Sequence, residues 1–189
     1  MSSLPLTSLT NLPTDVLLNT GRLFVGNTFL GVTRGGLAFN PQVTRRNIPY
    51  DGQPGPVEQL DWDTFSEATF SGRFIQFSGA SALARFEPGS TSAAGSGNVT
   101  TVITPKATGL LYAAGDYLSN LRQVWQLKSG GFVQVRFPKA LCTQYDFAGE
   151  DRGETLVNAT FGARVPLSTA AGINPGTKPY VIEKLSTFS

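Results

Sequence analysis

Histidine is absent from this 189-residue chain, cysteine and methionine occur once each, and tryptophan occurs twice. Without histidine there can be no Ser-His-Asp or Cys-His couple and no imidazole-ligated metal. Catalysis that relies on carboxylate, lysine or tyrosine alone stays open. A single cysteine, Cys142, rules out an internal disulfide and any zinc site built from several thiolates. Its context, Lys139-Ala140-Leu141-Cys142-Thr143, is apolar and predicts a buried structural thiol rather than a nucleophile.

Charge is scarce too. Charged residues make up 15% of the chain, against a usual quarter. A surface so thinly charged suits a protein that other chains cover. The balance, 15 basic against 13 acidic residues, gives a net charge of +2 and predicts no concentrated basic face for nucleic acid. No apolar run is long enough to cross a membrane as a helix. The opening Met1-Ser2-Ser3-Leu4-Pro5 lacks the basic start and apolar stretch of a signal peptide, so cytoplasmic synthesis is expected. The two N-x-T matches at Asn98 and Asn158 are then chance.

What is present is β-favouring. Thirteen phenylalanines and 40% hydrophobic residues predict a folded core in a single domain spanning 1–189. Residues 1–20 read as an N-terminal arm, and 22–33 as a hairpin turning at Gly26-Asn27. Residues 40–58 hold Pro41, Pro49, Pro54 and Pro56, which predicts a long loop or protruding hairpin. Arg45, Arg46, Ile48 and Tyr50 suit that loop to contacting a partner. Strand character returns over 57–77. Ser81–Phe86 is the best short helix, and 89–98 reads as a flexible low-complexity loop. Leu121–Leu127 and Phe132–Phe137 form the clearest hairpin, which Pro138 should end. Strands over 140–147 and 155–165 follow. The C-terminal arm, 166–189, carries one short strand near Tyr180-Val181-Ile182. The expected fold is mainly β: a sandwich or partial barrel with one short flanking helix, a protruding loop and extended termini.

One charge pattern stands out. Asp51, Glu58, Asp61, Asp63 and Glu67 are acidic, with no Lys or Arg between Arg46 and Arg73. Asp61 and Asp63 share a face if they lie on one strand. Such carboxylates could serve glycoside hydrolysis, hold a divalent cation, or merely make a surface negative. No dense calcium loop and no aromatic-lined cleft accompany them, so the solvated negative face is preferred, with no cofactor and no metal. A pore lined by Glu58, Asp61, Asp63 and Glu67 would repel nucleic-acid phosphates.

The order of these features resembles the major tail tube proteins of long-tailed bacteriophages. Leu23-Phe24-Val25-Gly26 through Gly35-Gly36-Leu37-Ala38-Phe39 is similar to that family's opening hairpin and Gly-Gly turn. Tyr50-Asp51-Gly52-Gln53-Pro54-Gly55-Pro56-Val57 is similar to its long loop, and Thr69–Phe74 to the strand that follows. Tyr117–Arg122 and Gly131–Ala140 are similar to its late strand pair. The resemblance spans about residues 22–165. It implies a non-catalytic subunit that forms six-membered rings. The rings stack through a loop carrying Arg45, Arg46, Ile48, Tyr50 and Asp51. It further implies a place in the virion, contact with tape-measure, terminator and distal tail proteins, and a lumen through which DNA passes unbound. A tail-completion or head-decoration protein, a carbohydrate-binding sandwich and a carboxylate-dependent hydrolase are the alternatives. A lectin would need Trp62 and Trp125 exposed on a concave face.

Overall fold

The computed structural model describes residues 17–48, 61–77, 84–149, 155–165 and 178–187, with the backbone alone at 17–20, 62–66 and 76–77. The chain is mainly β, as expected. Among the described residues ten strands follow one another: β1 (Leu17–Val25), β2 (Thr28–Phe29), β3 (Gly31–Asn47), β4 (Asp61–Phe77), β5 (Thr91–Ala94), β6 (Thr101–Thr104), β7 (Leu118–Leu127), β8 (Phe132–Ala148), β9 (Leu156–Arg164) and β10 (Val181–Leu185). β5 and β6 pair apart as a small hairpin; the other eight make one antiparallel sheet.

Its strand order is β2-β1-β7-β8-β9-β4-β3, with β10 added alongside β8. The two ends of that order, β2 and β3, are consecutive in the chain and separated only by Leu30. A sheet whose ends lie one residue apart has to curl until they meet. It becomes a rolled, partial barrel rather than a closed one, because no ladder joins β3 to β1 or β2 among the described strands. Leu30 N donates to Leu23 O at 2.9 Å where the ends approach. Gln123, fully buried on β7, donates from Nε2 to the Leu37 carbonyl at 3.1 Å and ties β7 to β3 across the interior.

Alternation fills the inside of the roll. Leu23, Phe70, Phe74, Leu121, Phe137 and Phe161 are all essentially inaccessible. Phe70 of β4 stacks on Phe137 of β8 with centroids 3.9 Å apart, although β9 lies between those strands in the sheet. Only strong curvature brings second neighbours into contact. Phe39 reaches the same cluster from β3, lying 6.2 Å from Phe137 and 5.3 Å from Tyr180.

Several boundaries differ from those expected. The Gly26-Asn27 turn, the hairpin of β7 and β8 and the short C-terminal strand all form. Pro138, however, does not end its strand: β8 continues to Ala148. The ladder to β7 pairs Leu121 with Phe137 and Ser119 with Lys139, skipping Pro138. Opposite it, Asn120 adopts φ 56 and turns its carbonyl to Gly26 N. On the other side Pro138 falls in the gap between β10, which ends opposite Arg136, and β9, which begins opposite Lys139. The missing N–H is needed on neither side. Of the two forms expected for residues 40–58, the described part, 40–47, takes the protruding hairpin rather than the loop, and Pro41 is tolerated because β3 is an edge strand. Residues 91–94, expected as a flexible loop, pair with 101–104. Ala84–Phe86, the described half of the expected helix, is a turn, and the one helical turn among the described residues is the 3-10 turn Ala114–Asp116. Most of residues 1–20 lies outside the described residues; 17–20 belong to β1.

Two measurements probe this arrangement. Phe137→Ala removes the ring shared by the β4, β3 and β8 aromatics. It should cost about 3–5 kcal/mol in urea unfolding, whereas a loss under about 1 kcal/mol would mean the interior is not packed around it. β10 is held by Glu183, which accepts from Gln134 Nε2 and from Arg136 Nη2, the latter at 3.1 Å. These bonds, Gln134's foremost, hold the Glu183 carboxyl below its usual value of 4.5. A depressed pKa means that the stabilisation is full above 4.5 and is lost as pH falls through the folded value. Relative to Glu183→Gln, the wild type should therefore lose stability on acidification below about pH 4.5; parallel acid melting curves would contradict the clamp.

Candidate functional site

The hairpin of β3 and β4 outgrows the body of the sheet. β9 pairs with β4 only from Thr69 to Phe74, but β3 stays paired with β4 from Gly31 out to Asn47 and back to Asp61. Beyond Thr69 the two strands have only each other as ladder partners among the described residues. Asn40–Asn47 thus forms one side of a two-stranded arm that projects roughly 25 Å at 3.3 Å per residue. The sequence builds it from residues that do not need a core: Asn40, Pro41, Gln42, Thr44, Arg45 and Arg46 are all exposed.

The arm brings together two groups of residues to which the sequence assigned different tasks. Arg45 stands opposite Asp63, Arg46 opposite Trp62 and Asn47 opposite Asp61. Asn47 Nδ2 donates to Asp61 Oδ1 at 3.0 Å. Along the chain Asp61 and Asp63 have no basic neighbour, yet the register sets Arg45 directly across from Asp63. Opposite charges directly across a ladder favour each other by roughly 0.2–1 kcal/mol. Ile48, just past the end of β3, is 51% exposed. Tyr50, Asp51 and Glu58 lie outside the described residues.

Glu67 does not join Asp61 and Asp63. The register steps from Thr44 opposite Phe65 to Arg45 opposite Asp63, so β4 carries one extra residue there. This bulge exchanges the faces of β4. Glu67 pairs with Gln42, whereas Asp61 pairs with Asn47, and positions 42 and 47 lie on opposite faces of β3. A strip of Asp61, Asp63 and Glu67 on one face is therefore not formed.

β8 supplies a second exposed edge. From Phe132 to Ala140 it is flanked by β7, but β7 begins opposite Ala140, and from Leu141 to Ala148 its only ladder partner among the described strands is β9. This extension carries Tyr145, whose hydroxyl donates to Glu87 Oε2 at 2.6 Å, and Phe147, which is 62% exposed. The Glu87 hydrogen bond raises the Tyr145 phenol above its ordinary value.

Other residues singled out from sequence are structural here. Cys142 lies on β8 with its side chain buried, where desolvation pushes its thiol up to about 12, the wrong direction for a nucleophile. Trp125 packs half-buried against the core, and the Trp62 side chain lies outside the described residues. Among the described residues no three Asp, Glu or Cys groups gather as a metal-binding cluster, and no helix is long and apolar enough to cross a membrane.

No protein-family model matches the chain. No curated protein matches it. Among solved structures it is similar to a chain of the virion of a native gene transfer agent particle, with 14% identity, coverage of 78% of this chain and 92% of that chain, and a TM-score of 0.37. A likeness of that size carries no functional assignment.

If the outer arm is a self-paired element, it contributes little to the stability of the subunit. Asn47→Ala and Asp61→Ala should each change unfolding free energy by less than about 0.5–1 kcal/mol, as exposed pairs do. A loss above about 2 kcal/mol for either would show that the arm is packed against the body.

Proposed function

We propose that this chain is a non-catalytic structural subunit of a virion that assembles with copies of itself into stacked rings, forming a tail tube through which DNA passes. The observation that carries this reading is the β3–β4 arm. Unpaired strand edges are normally blunted, because they recruit other chains. Here a long arm projects with ladder pairing to itself alone, while β8 runs past its β7 neighbour and exposes Phe147. A free monomer gains nothing from either feature. A subunit whose edges are completed by neighbours gains backbone pairing at the ring seam and an extended contact element between rings. The low charge content fits the same picture, since covered surface needs little charge to stay soluble. The features quoted above as resembling tail tube proteins support the particular assembly, its hexameric ring and its partners at the tube ends.

The arm's residues are read accordingly as contact residues. Arg45, Arg46 and Ile48 lie at its far end, together with Asp61 and Asp63, so charge-paired contact with the next ring suits these acids better than lining a lumen. A tail-completion or head-decoration protein would share the exposed edges but would not polymerise.

Negative-stain electron microscopy of concentrated protein should show rings or tubes. Replacing residues 42–66 by a tight turn should leave a folded subunit that forms no stacked tubes. Tubes that grow normally from the shortened chain would remove the arm from the assembly. A wild-type protein that stays monomeric at every concentration and salt would contradict self-assembly.

A further inference from the structure

Glu87 is a half-buried carboxylate without a cation. It follows the turn Ala84–Phe86 and accepts from the Tyr145 hydroxyl at 2.6 Å. Among the described residues no lysine or arginine nitrogen pairs with it; Lys106 goes to Asp116 and Arg136 to Glu183. A cavity of about 320 Å³ opens beside Glu87, with Phe86, Tyr112 and Tyr145 in its lining. Phe86 is buried, whereas the two tyrosines are exposed. No basic residue lines the cavity. Lys106 lies 5.4 Å from the centre of the Tyr112 ring, but Asp116 matches its charge. Arg85 lines an adjoining cavity together with Asp116. A carboxylate framed by aromatic rings fits a guanidinium, whose donors meet the acid while its plane lies against a ring.

Register places this cavity toward the end of the sheet away from the arm. The arm leaves the body at Thr69 and runs back to Asp61. Tyr145 pairs with Ala159, which pairs with Gly72; Phe147 pairs with Val157, which pairs with Phe74. Those rows lie about 10 and 17 Å from the Thr69 row, in the opposite direction, at 3.4 Å per residue. Arm tip and cavity therefore cannot meet within one subunit, and a contact between them takes two copies. Such a contact is heterologous and repeats without closing, which is the geometry of a stack.

Of the arm's two arginines, Arg46 has the fewer acids about it. Arg45 stands opposite Asp63, and Asn47 opposite Asp61. Arg46, between them, is exposed and alternates to the other face of β3. On that face Glu67 stands opposite Gln42, about 13 Å back along β3 at 3.3 Å per residue. Two residues beyond Arg46, Ile48 is exposed; two residues beyond Tyr145, Phe147 is exposed and packs edge-on at 6.1 Å from the Tyr145 ring. Tip and cavity thus each offer a polar group and an apolar one at matching spacing.

We propose that the Glu87 cavity is the seat for Arg46 of a second copy of this chain, with Ile48 of that copy against Phe147 at the rim. The proposal rests on the tube reading and deepens it by naming both sides of the contact between rings. Arginine suits the seat better than lysine, because its planar fork bonds a carboxylate and stacks on an aromatic face at once.

Cross-linking tests the contact without requiring tubes. Under mild oxidation, Arg46→Cys chains mixed with Glu87→Cys chains should form a disulfide-linked dimer that neither variant forms alone. Cys142 is buried with its thiol pushed up to about 12, so it stays out of the exchange. Absence of the mixed dimer overturns the proposal whether or not tubes form. In tube growth followed by sedimentation, Arg46→Gln and Glu87→Gln should each raise the concentration required about tenfold, and together no further, since both remove one contact. The exchange Arg46→Glu/Glu87→Arg should restore growth toward wild type. Wild-type tubes with an unchanged Glu87→Gln variant overturn the seat and leave the tube reading standing. A mixed dimer from a protein that never forms tubes supports the seat and overturns the tube reading. Titration of dispersed protein with argininamide supplies the last arm. Shifts of the Tyr112 and Tyr145 ring signals without the mixed dimer would assign the seat to a cation from elsewhere and overturn the second copy as its occupant.

Discussion

Leu30 is the single residue between β2 and β3, and those two strands occupy opposite ends of the sheet. That covalent constraint leaves the sheet no choice but to roll. Rolling then puts the alternating aromatic positions of β4, β8 and β9 inside, where Phe70 can stack on Phe137 across an intervening strand. It sets Gln123 within hydrogen-bonding reach of Leu37. It also leaves β3 as an edge that can outgrow the body, and β8 as a strand that runs on past β7. The core and the exposed edges are consequences of one closure that stops short of completion.

The charges follow from the same hairpin. Along the chain the acids of 58–67 stand alone; in the fold, Asp61 and Asp63 face Asn47 and Arg45, and one extra residue in β4 puts Glu67 on the other side. The outer sheet face is mixed as well: Arg73, Arg164 and Lys139 stand there among hydroxyls and amides, with Asp146 opposite Asn158 and Glu67 on the same face of β4 as Ser71 and Arg73.

The sequence was legible where local chemistry decides the outcome. The Gly26-Asn27 turn and the hairpin of β7 and β8 follow from turn residues and alternation, and Cys142 is buried as its apolar neighbours suggest. Proline was the least reliable guide. Pro41 pointed to a protruding hairpin or a loop and lies on the edge strand of such a hairpin, whereas Pro138 read as a break and falls where no neighbour needs its N–H. Both tolerances are set by the strand order, which one chain's local pattern does not contain. The bulge that separates Glu67 from Asp61 is equally invisible, because it depends on the register between strands.

The central claim is that the exposed edges of this rolled sheet are completed by other copies of the chain. Hydrogen exchange compared between dispersed and assembled protein tests it most directly. The account predicts that amides of the outer arm and of Leu141–Ala148 exchange readily in the dispersed subunit and become protected on assembly, while those of β7 and β9 stay protected throughout. Equal exchange at the arm and at β8 in the two states would contradict it.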